Sequence, residues 1–474
     1  MNYSAKILLL AFAFTASAAN AAEYKAGEVI VKYKDGALRT RTVMSALYDA
    51  AGAERVKHYK GSMKGYERIL LSDSVKVEDA IAELERSPLV EYAQPNYIIR
   101  ISPQEMRATA GIPCIPGFDI PGCDPNAKFP CLIPGLPFPP GCEDGGGGGG
   151  GDNPQPPTTR PDLQPAPAEI IPPVADPDLA KAYGIEKVGA TQAWATHRGS
   201  KSMVVAVIDT GIDYNHEELS FNVWRNPNPT QNDVAGFDFV HNDGLPYDDQ
   251  GHGTHCSGSI GAVGGNGKGI SGVNQQVSIM GIKFLSAEGS GTTADAIKAI
   301  DYAVEHGAKV LSNSWGGPGE DGNKALYDSI ERAKAKDVLF IAAAGNDGKD
   351  NDNASQASYP AAFDNDNLIA VAATDNKDAM AFFSNYGKKT THVGAPGVNV
   401  YSLAPGGGFA SMSGTSMACP HVAGAAALLW SKNPTWNYKK VKETLMNTAD
   451  QVPSLAGKTV TGGRINVFKA LQAN

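Results

Sequence analysis

Asp209, His252 and Ser416 are the residues of this chain whose types and settings could break a bond. Ser416 lies in GTSMACPHVAG (Gly414–Gly424), at the head of a helix-like stretch of Ala, Val and Leu that continues through Leu428, Leu429 and Trp430. A hydroxyl at a helix N-terminus feels the positive end of the macrodipole beside unpaired backbone N–H groups, which suits a nucleophile whose substrate oxygen becomes an anion. Taken alone, such a serine is also an ordinary N-cap. Asp209 ends the apolar run VAVID, where a buried carboxylate is costly unless paired. His252 stands at a predicted helix start, between Gly251 and Gly253. Together they supply an acid to orient, a base to take a proton and a hydroxyl to attack.

The elements that must position them follow from hydrophobic patterning. MVVAVID, VSIMGIKFL, KVLSNSW, VLFIAAAGN and LIAVAAT lack polar alternation, as expected of strands buried on both faces. TTADAIKAIDYAVEHG and NKALYDSIERAKAKD, between them, have helical spacing. This rhythm predicts an α/β unit over residues 179–474, with one doubly wound, mainly parallel sheet. Functional groups gather at the carboxyl ends of strands in such sheets. Asp209 stands there, and so does Asn346 in AAAGNDG, a motif that alone reads as a turn.

The rest of the 474 residues divides into three. Residues 1–21 have the form of a secretory signal: Lys6, an apolar stretch from Ile7 to Ala16, and Ala19-Asn20-Ala21 as cleavage site. That stretch is too short to span a bilayer, which needs about 20 residues. Residues 22–101 combine GEVIVKYK, ERILLS and VEYAQPNYIIR as strands, the last broken by Pro95, with VKVEDAIAELERS as a helix. A small α+β unit of two helices and about four strands is expected. Residues 102–178 are rich in Pro and Gly, with an unbroken run from Gly145 to Gly151, and read as a linker.

Six cysteines are few for this length. Cys114, Cys123, Cys131 and Cys142 crowd into the linker, where an exported chain would form disulfides; zinc is the alternative, although no CxxC pair occurs. Cys256 and Cys419, near the candidate site, are expected to be buried free thiols. Met417, next to Ser416, is a candidate for oxidation. A 42% hydrophobic and 19% charged composition describes a globular protein, and the net charge of −9 argues against nucleic-acid binding.

With DTGID, GHGTH and GTSMACPHVAG in the order Asp, His, Ser, residues 180–474 resemble the subtilisin-like serine peptidases, the subtilase family. The resemblance implies a secreted serine endopeptidase that cuts proteins through an acyl-enzyme and works as a monomer. Asp209 would hold the His252 imidazole, His252 would move the proton, Ser416 would attack, and Asn346 would donate to the oxyanion. Gly289 and Gly291 in EGSGT, and Ser314 and Gly316 in SWGG, resemble the edges that clamp an extended peptide. Ser358 would lie at the base of the first pocket. Asp347, at its rim, would favour a basic residue or simply be solvated.

Residues 22–101 resemble the family's inhibitory pro-domain, which implies a zymogen whose pro-domain is an intramolecular partner. The long linker departs from the family pattern and leaves maturation near Tyr97–Arg100, within the linker, or before Leu179. Calcium is implied as a structural cofactor, with Glu218 as a ligand beside the loop VGGNGKG, whose Gly content departs from Asn-rich versions. A solvated acid is the alternative for Glu218. The acidic loops Asn346–Asn353 and Asp364–Asp366 would bind further calcium or face water. Two rival readings are a catalytically silent binding protein on this fold and an adhesive function of the Pro/Gly/Cys segment.

Overall fold

The computed structural model describes residues 22–59, 61–101, 160–167, 174–318 and 323–473. The signal-like segment, the four clustered cysteines and the glycine run lie outside these residues.

The first unit runs β1 (Tyr24–Tyr33), α1 (Arg41–Ala50), β2 (Ala53–His58), β3 (Tyr66–Leu71), α2 (Val77–Glu85) and β4 (Val90–Arg100). Its pairs are antiparallel, with β1 between β3 and β4. Strand alternation sends Val29, Val31 and Tyr33 into a core with Ala80 and Leu84 of α2. Ile30 turns the other way, where Tyr66 and Tyr92 meet Ala294, Ile297 and Ala325 of the next unit. Both faces of this sheet are therefore covered.

Pro95 does not break β4, contrary to the sequence-based expectation. It stays in register opposite Val29, and the ladder instead shifts between Tyr24 and Val29. Proline removes one ladder donor, and the irregularity accommodates the loss.

The second unit begins with the short helices α3 (Tyr183–Lys187) and α4 (Ala190–Ala193). It continues through β5 (Gly199–Asp209), β6 (Gly236–Asp238), α5 (His252–Gly261), β7 (Gln276–Lys283), β8 (Ser290–Thr292), α6 (Thr293–Glu305), β9 (Val310–Asn313) and β10 (Gly317–Pro318). Then come α7 (Lys324–Ala335), β11 (Leu339–Ala343), β12 (Ser358–Tyr359), β13 (Leu368–Thr374), β14 (Val393–Pro396), the hairpin β15 (Val400–Ala404) and β16 (Gly408–Met412), and α8 (Thr415–Lys432). The last elements are α9 (Tyr438–Asn447), β17 (Asp450–Gln451), β18 (Gly463–Arg464) and α10 (Val467–Gln472).

The main sheet has the order β17-β18-β14-β13-β11-β9-β5-β7-β6 and is parallel except for β17. The chain winds from β5 to β7 on one side and returns to β9 on the other, so the strand order reverses at β5. Crevices open at such reversals, outside the carboxyl ends of the strands. Asp209 is the last residue of β5.

Helix α8 is buried from Thr415 to Trp430 and lies across β5, β9, β11, β13 and β14. Its apolar character all round follows from that position. Helix α5 packs against it. Two pieces of the expected linker, residues 160–167 and 174–178, rest on this unit. Val174 donates its N–H to the Gly265 carbonyl at 2.7 Å, and Asp176 accepts from the N–H groups of Gly265 and Asn266. Specific polar anchors, which composition does not register, override the linker tendency at these points.

Candidate active site

Asp209 and His252 meet at the carboxyl end of β5. Asp209 Oδ1 accepts from His252 Nδ1 at 2.7 Å, and both side chains are fully buried. Gly253 permits the approach: a Cβ there would lie 2.1 Å from the Gly211 carbonyl oxygen. Burial works against a charged imidazole, but the Asp209 carboxylate outweighs it and holds the His252 pKa well above 6.5.

Asp248, which the motif reading passed over, builds the start of the His252 helix. Its Oδ2 accepts from the Thr254 backbone N–H at 2.8 Å and from the Thr254 hydroxyl. Its Oδ1 accepts from the N–H groups of Gln250 and Gly251 and from the Thr210 hydroxyl. An acid four residues before a predicted helix start is a readable capping signal.

Ser416 is the second residue of α8, and its hydroxyl donates to the Ser314 carbonyl at 2.9 Å. Pro420, inside the helix, has no N–H to give the Ser416 carbonyl four residues back. That carbonyl accepts instead from the Ser314 hydroxyl at 2.9 Å and the Cys256 thiol at 3.5 Å. Cys256 and Cys419 are buried free thiols, as expected. Burial pushes Cys419 up to about 12. Met417 is also fully buried.

Asn346 follows β11. Its Oδ1 accepts from the backbone N–H and hydroxyl of Thr415, the residue before Ser416, at 2.8 and 3.0 Å. The carboxamide is thus pinned by its oxygen and turns Nδ2 away from Thr415.

The end of β4 lies between the two edges singled out in the sequence. Ile99 pairs with Gly291, and Ile101 donates its N–H to the Gly289 carbonyl at 3.0 Å. Arg100 and Gly316 exchange two backbone hydrogen bonds of 3.2 and 3.1 Å. Ile99 and Ile101 join the apolar cluster of Phe284, Leu285 and Trp315. Ser358, in β12, is buried behind Gly316, where a Cβ would lie 3.1 Å from its hydroxyl. Asp347 is exposed.

Glu218 is fully buried and is not a solvated acid. Its carboxylate accepts from Asn266 Nδ2 at 2.7 Å and the Ile270 N–H at 3.0 Å. Burial, with Asp176 nearby, pushes its pKa up to about 7. Two neighbouring carboxylates with only neutral N–H partners supply hard oxygen donors of the kind a divalent cation takes.

Residues 200–464 match the subtilase family, and residues 11–96 match the fervidolysin N-terminal prodomain family. The chain belongs to the subtilase family: it is a subtilisin-like serine endopeptidase carrying a pro-domain. Thermitase from Thermoactinomyces vulgaris is 41% identical over 293 residues, covering 62% of this chain and 96% of that protein. A thermophilic serine proteinase from Bacillus sp. (strain AK1) is 39% identical over 289 residues, 61% of this chain and 66% of its own length. Subtilisin DY from Bacillus licheniformis is 38% identical over 292 residues, 61% of this chain and 98% of its own.

Proposed function

We propose that this enzyme is an exported endopeptidase in which Asp209, His252 and Ser416 form the catalytic triad. The buried 2.7 Å hydrogen bond from His252 Nδ1 to Asp209, at the mouth of the crevice, carries this reading. With Nδ1 committed to Asp209, Nε2 is the nitrogen that takes the Ser416 hydroxyl proton as the oxygen attacks the peptide carbonyl. The tetrahedral oxyanion is met by Asn346 Nδ2 and the Ser416 backbone N–H. His252 returns the proton to the leaving amine, and water then hydrolyses the acyl-enzyme by the same relay.

Peptide substrates add as an extended strand between Gly289–Gly291 and Ser314–Gly316, with Ser358 at the first pocket. Residues 98–101 hold that place in the zymogen, so residues 22–101 act as an intramolecular inhibitor. Residues 1–21 direct export, residues 102–178 connect the two units, and residues 179–474 carry the chemistry. No helix among the described residues is long and apolar enough to cross a membrane.

Calcium is the proposed structural cofactor. Glu218 would hold it, with Asp176 beside it. When bound, it supplies positive charge to a buried acidic pair.

Labelling with a fluorophosphonate probe and hydrolysis of unfolded casein test the triad. Mature wild-type enzyme should do both, and Ser416→Ala should do neither, with turnover lower by about 10⁶. Hydrolysis undiminished in Ser416→Ala, or none in folded, pro-domain-free wild type, would overturn it.

A further inference from the structure

Arg160 lies in the stretch whose composition reads as linker, yet it makes a tight polar contact. Its Nη1 donates to Asp238 Oδ2 and Asp243 Oδ1, each at 3.0 Å, and reaches the Leu245 carbonyl at 3.5 Å. Its Nη2 donates to Asp243 Oδ2 at 2.7 Å, completing a two-pronged grip on that carboxylate. The Asp238 side chain is fully buried, and besides Arg160 its side-chain ion-pair partner is His241.

The next four residues lie along the loop that leaves Asp209. The Tyr214 hydroxyl donates to the Pro161 carbonyl, and Asn215 Nδ2 donates to the Asp162 carbonyl at 2.8 Å. Gln164 donates its N–H to Asn215 Oδ1 and accepts at its carbonyl from Arg225, both at 2.8 Å. Leu163 packs on the main core. Fourteen residues beyond Arg160 the chain is anchored again at Val174 and Asp176.

We propose that maturation releases the pro-domain on the amino side of Arg160, and that the active enzyme keeps Arg160 and all that follows as an arm pinned to Asp238 and Asp243. The enzyme's own peptidase activity supplies the step. Water adds across one peptide bond, leaving a carboxylate on the pro-domain fragment and an amine at the head of the arm. A cut on the carboxyl side of Arg160 would free the guanidinium to leave, and a buried carboxylate would lose its permanent cation.

Intact-mass measurement and N-terminal sequencing of the active, pro-domain-free enzyme test the proposal directly. Retention of Arg160 is expected; an active enzyme that begins after Arg160 would overturn it. Arg160→Gln, processed from the full chain, should lose activity at elevated temperature about tenfold faster, and limited proteolysis should clip its arm before residue 178. Arg160→Lys, which keeps the charge but not the fork, should fall between. Inactivation of Arg160→Gln at the wild-type rate would also overturn the pin. Should Arg160→Gln fail to fold, the mass of the wild-type enzyme still decides. Ser416 labelling is read separately, so failure of the arm is distinguishable from failure of the triad.

Discussion

The Thr210 hydroxyl donates to Asp248 Oδ1 at 2.8 Å and accepts from the Gly253 N–H at 2.9 Å. One residue beyond Asp209 and one beyond His252 are thereby tied through a single oxygen. The carboxylate and the imidazole are set in place by their neighbours as much as by their own bond.

Asp248→Ala removes five acceptor contacts at once, leaving the N–H groups of Gln250 and Gly251, just before α5, and of Thr254, in its first turn, unpaired. A loss of about 3 kcal/mol is expected, given about 1–3 kcal/mol for each buried group left unpaired. Because the His252 helix begins there, kcat should fall with KM little changed. Thermal melts and steady-state kinetics on the mature enzyme check both effects.

Asp209→Asn tests the origin of the raised His252 pKa. Activity requires neutral imidazole, so the acid limb of the pH profile sits at that pKa. Removing the carboxylate should move the limb to lower pH and reduce kcat by about 10⁴. A pH profile of kcat/KM that keeps the wild-type acid limb would contradict the assignment.

Asp328 of α7 accepts from Lys32 Nζ at 3.0 Å and from the hydroxyls of Tyr66 and Tyr92, each at 2.8 Å, all three from the pro-domain. Burial opposes its charge, but these donors outweigh burial and hold its carboxyl below the ordinary value. The contact is therefore complete at neutral pH and fails only as acid protonates Asp328. Asp328→Ala should weaken pro-domain binding on the order of 10²-fold, from about 1.5–3 kcal/mol for a charge-assisted hydrogen bond. Residual activity of the unprocessed zymogen and its rate of activation report this.

Calcium dependence should carry the signature of Glu218. Its pKa, raised to about 7, means that the metal-free protein buries a proton there in mild acid and an uncompensated charge in mild base. Calcium needs the ionised form. The melting-temperature gap between calcium and chelator buffers should therefore widen from about pH 5 to about pH 8. An equal gap at both ends would remove Glu218 from the site.

Asp209 and Asn346 follow apolar runs and Ser416 opens one, where a polar residue is conspicuous, while His252 stood out at a predicted helix start between two glycines. The central strands announced themselves through their lack of alternation. The hairpin β15–β16 did not, because β15 is short and β16 is half-exposed throughout, so neither has a strong period. Asp248 hid in DDQG, which reads as a turn until the helix behind it is seen. Arg160 hid among prolines, since its partners lie about 80 residues away and only the fold brings them together. Pro95 misled for the opposite reason: a local preference was absorbed by a register shift.

Helix α7 borrows part of its beginning. The Ala325 N–H is capped by Gln94 Oε1 at 2.8 Å, while the Ala294 N–H of α6 is met by Asn96 Oδ1 at 2.9 Å. Both caps come from β4, a strand of the pro-domain. An N-cap contributes about 1 kcal/mol, chiefly where a helix must nucleate. If processing removes β4, the sequence that remains lacks part of the information that guided its own assembly. Such an enzyme, once unfolded, would be a different folding problem from the zymogen, and its lifetime would rest on how slowly it unfolds.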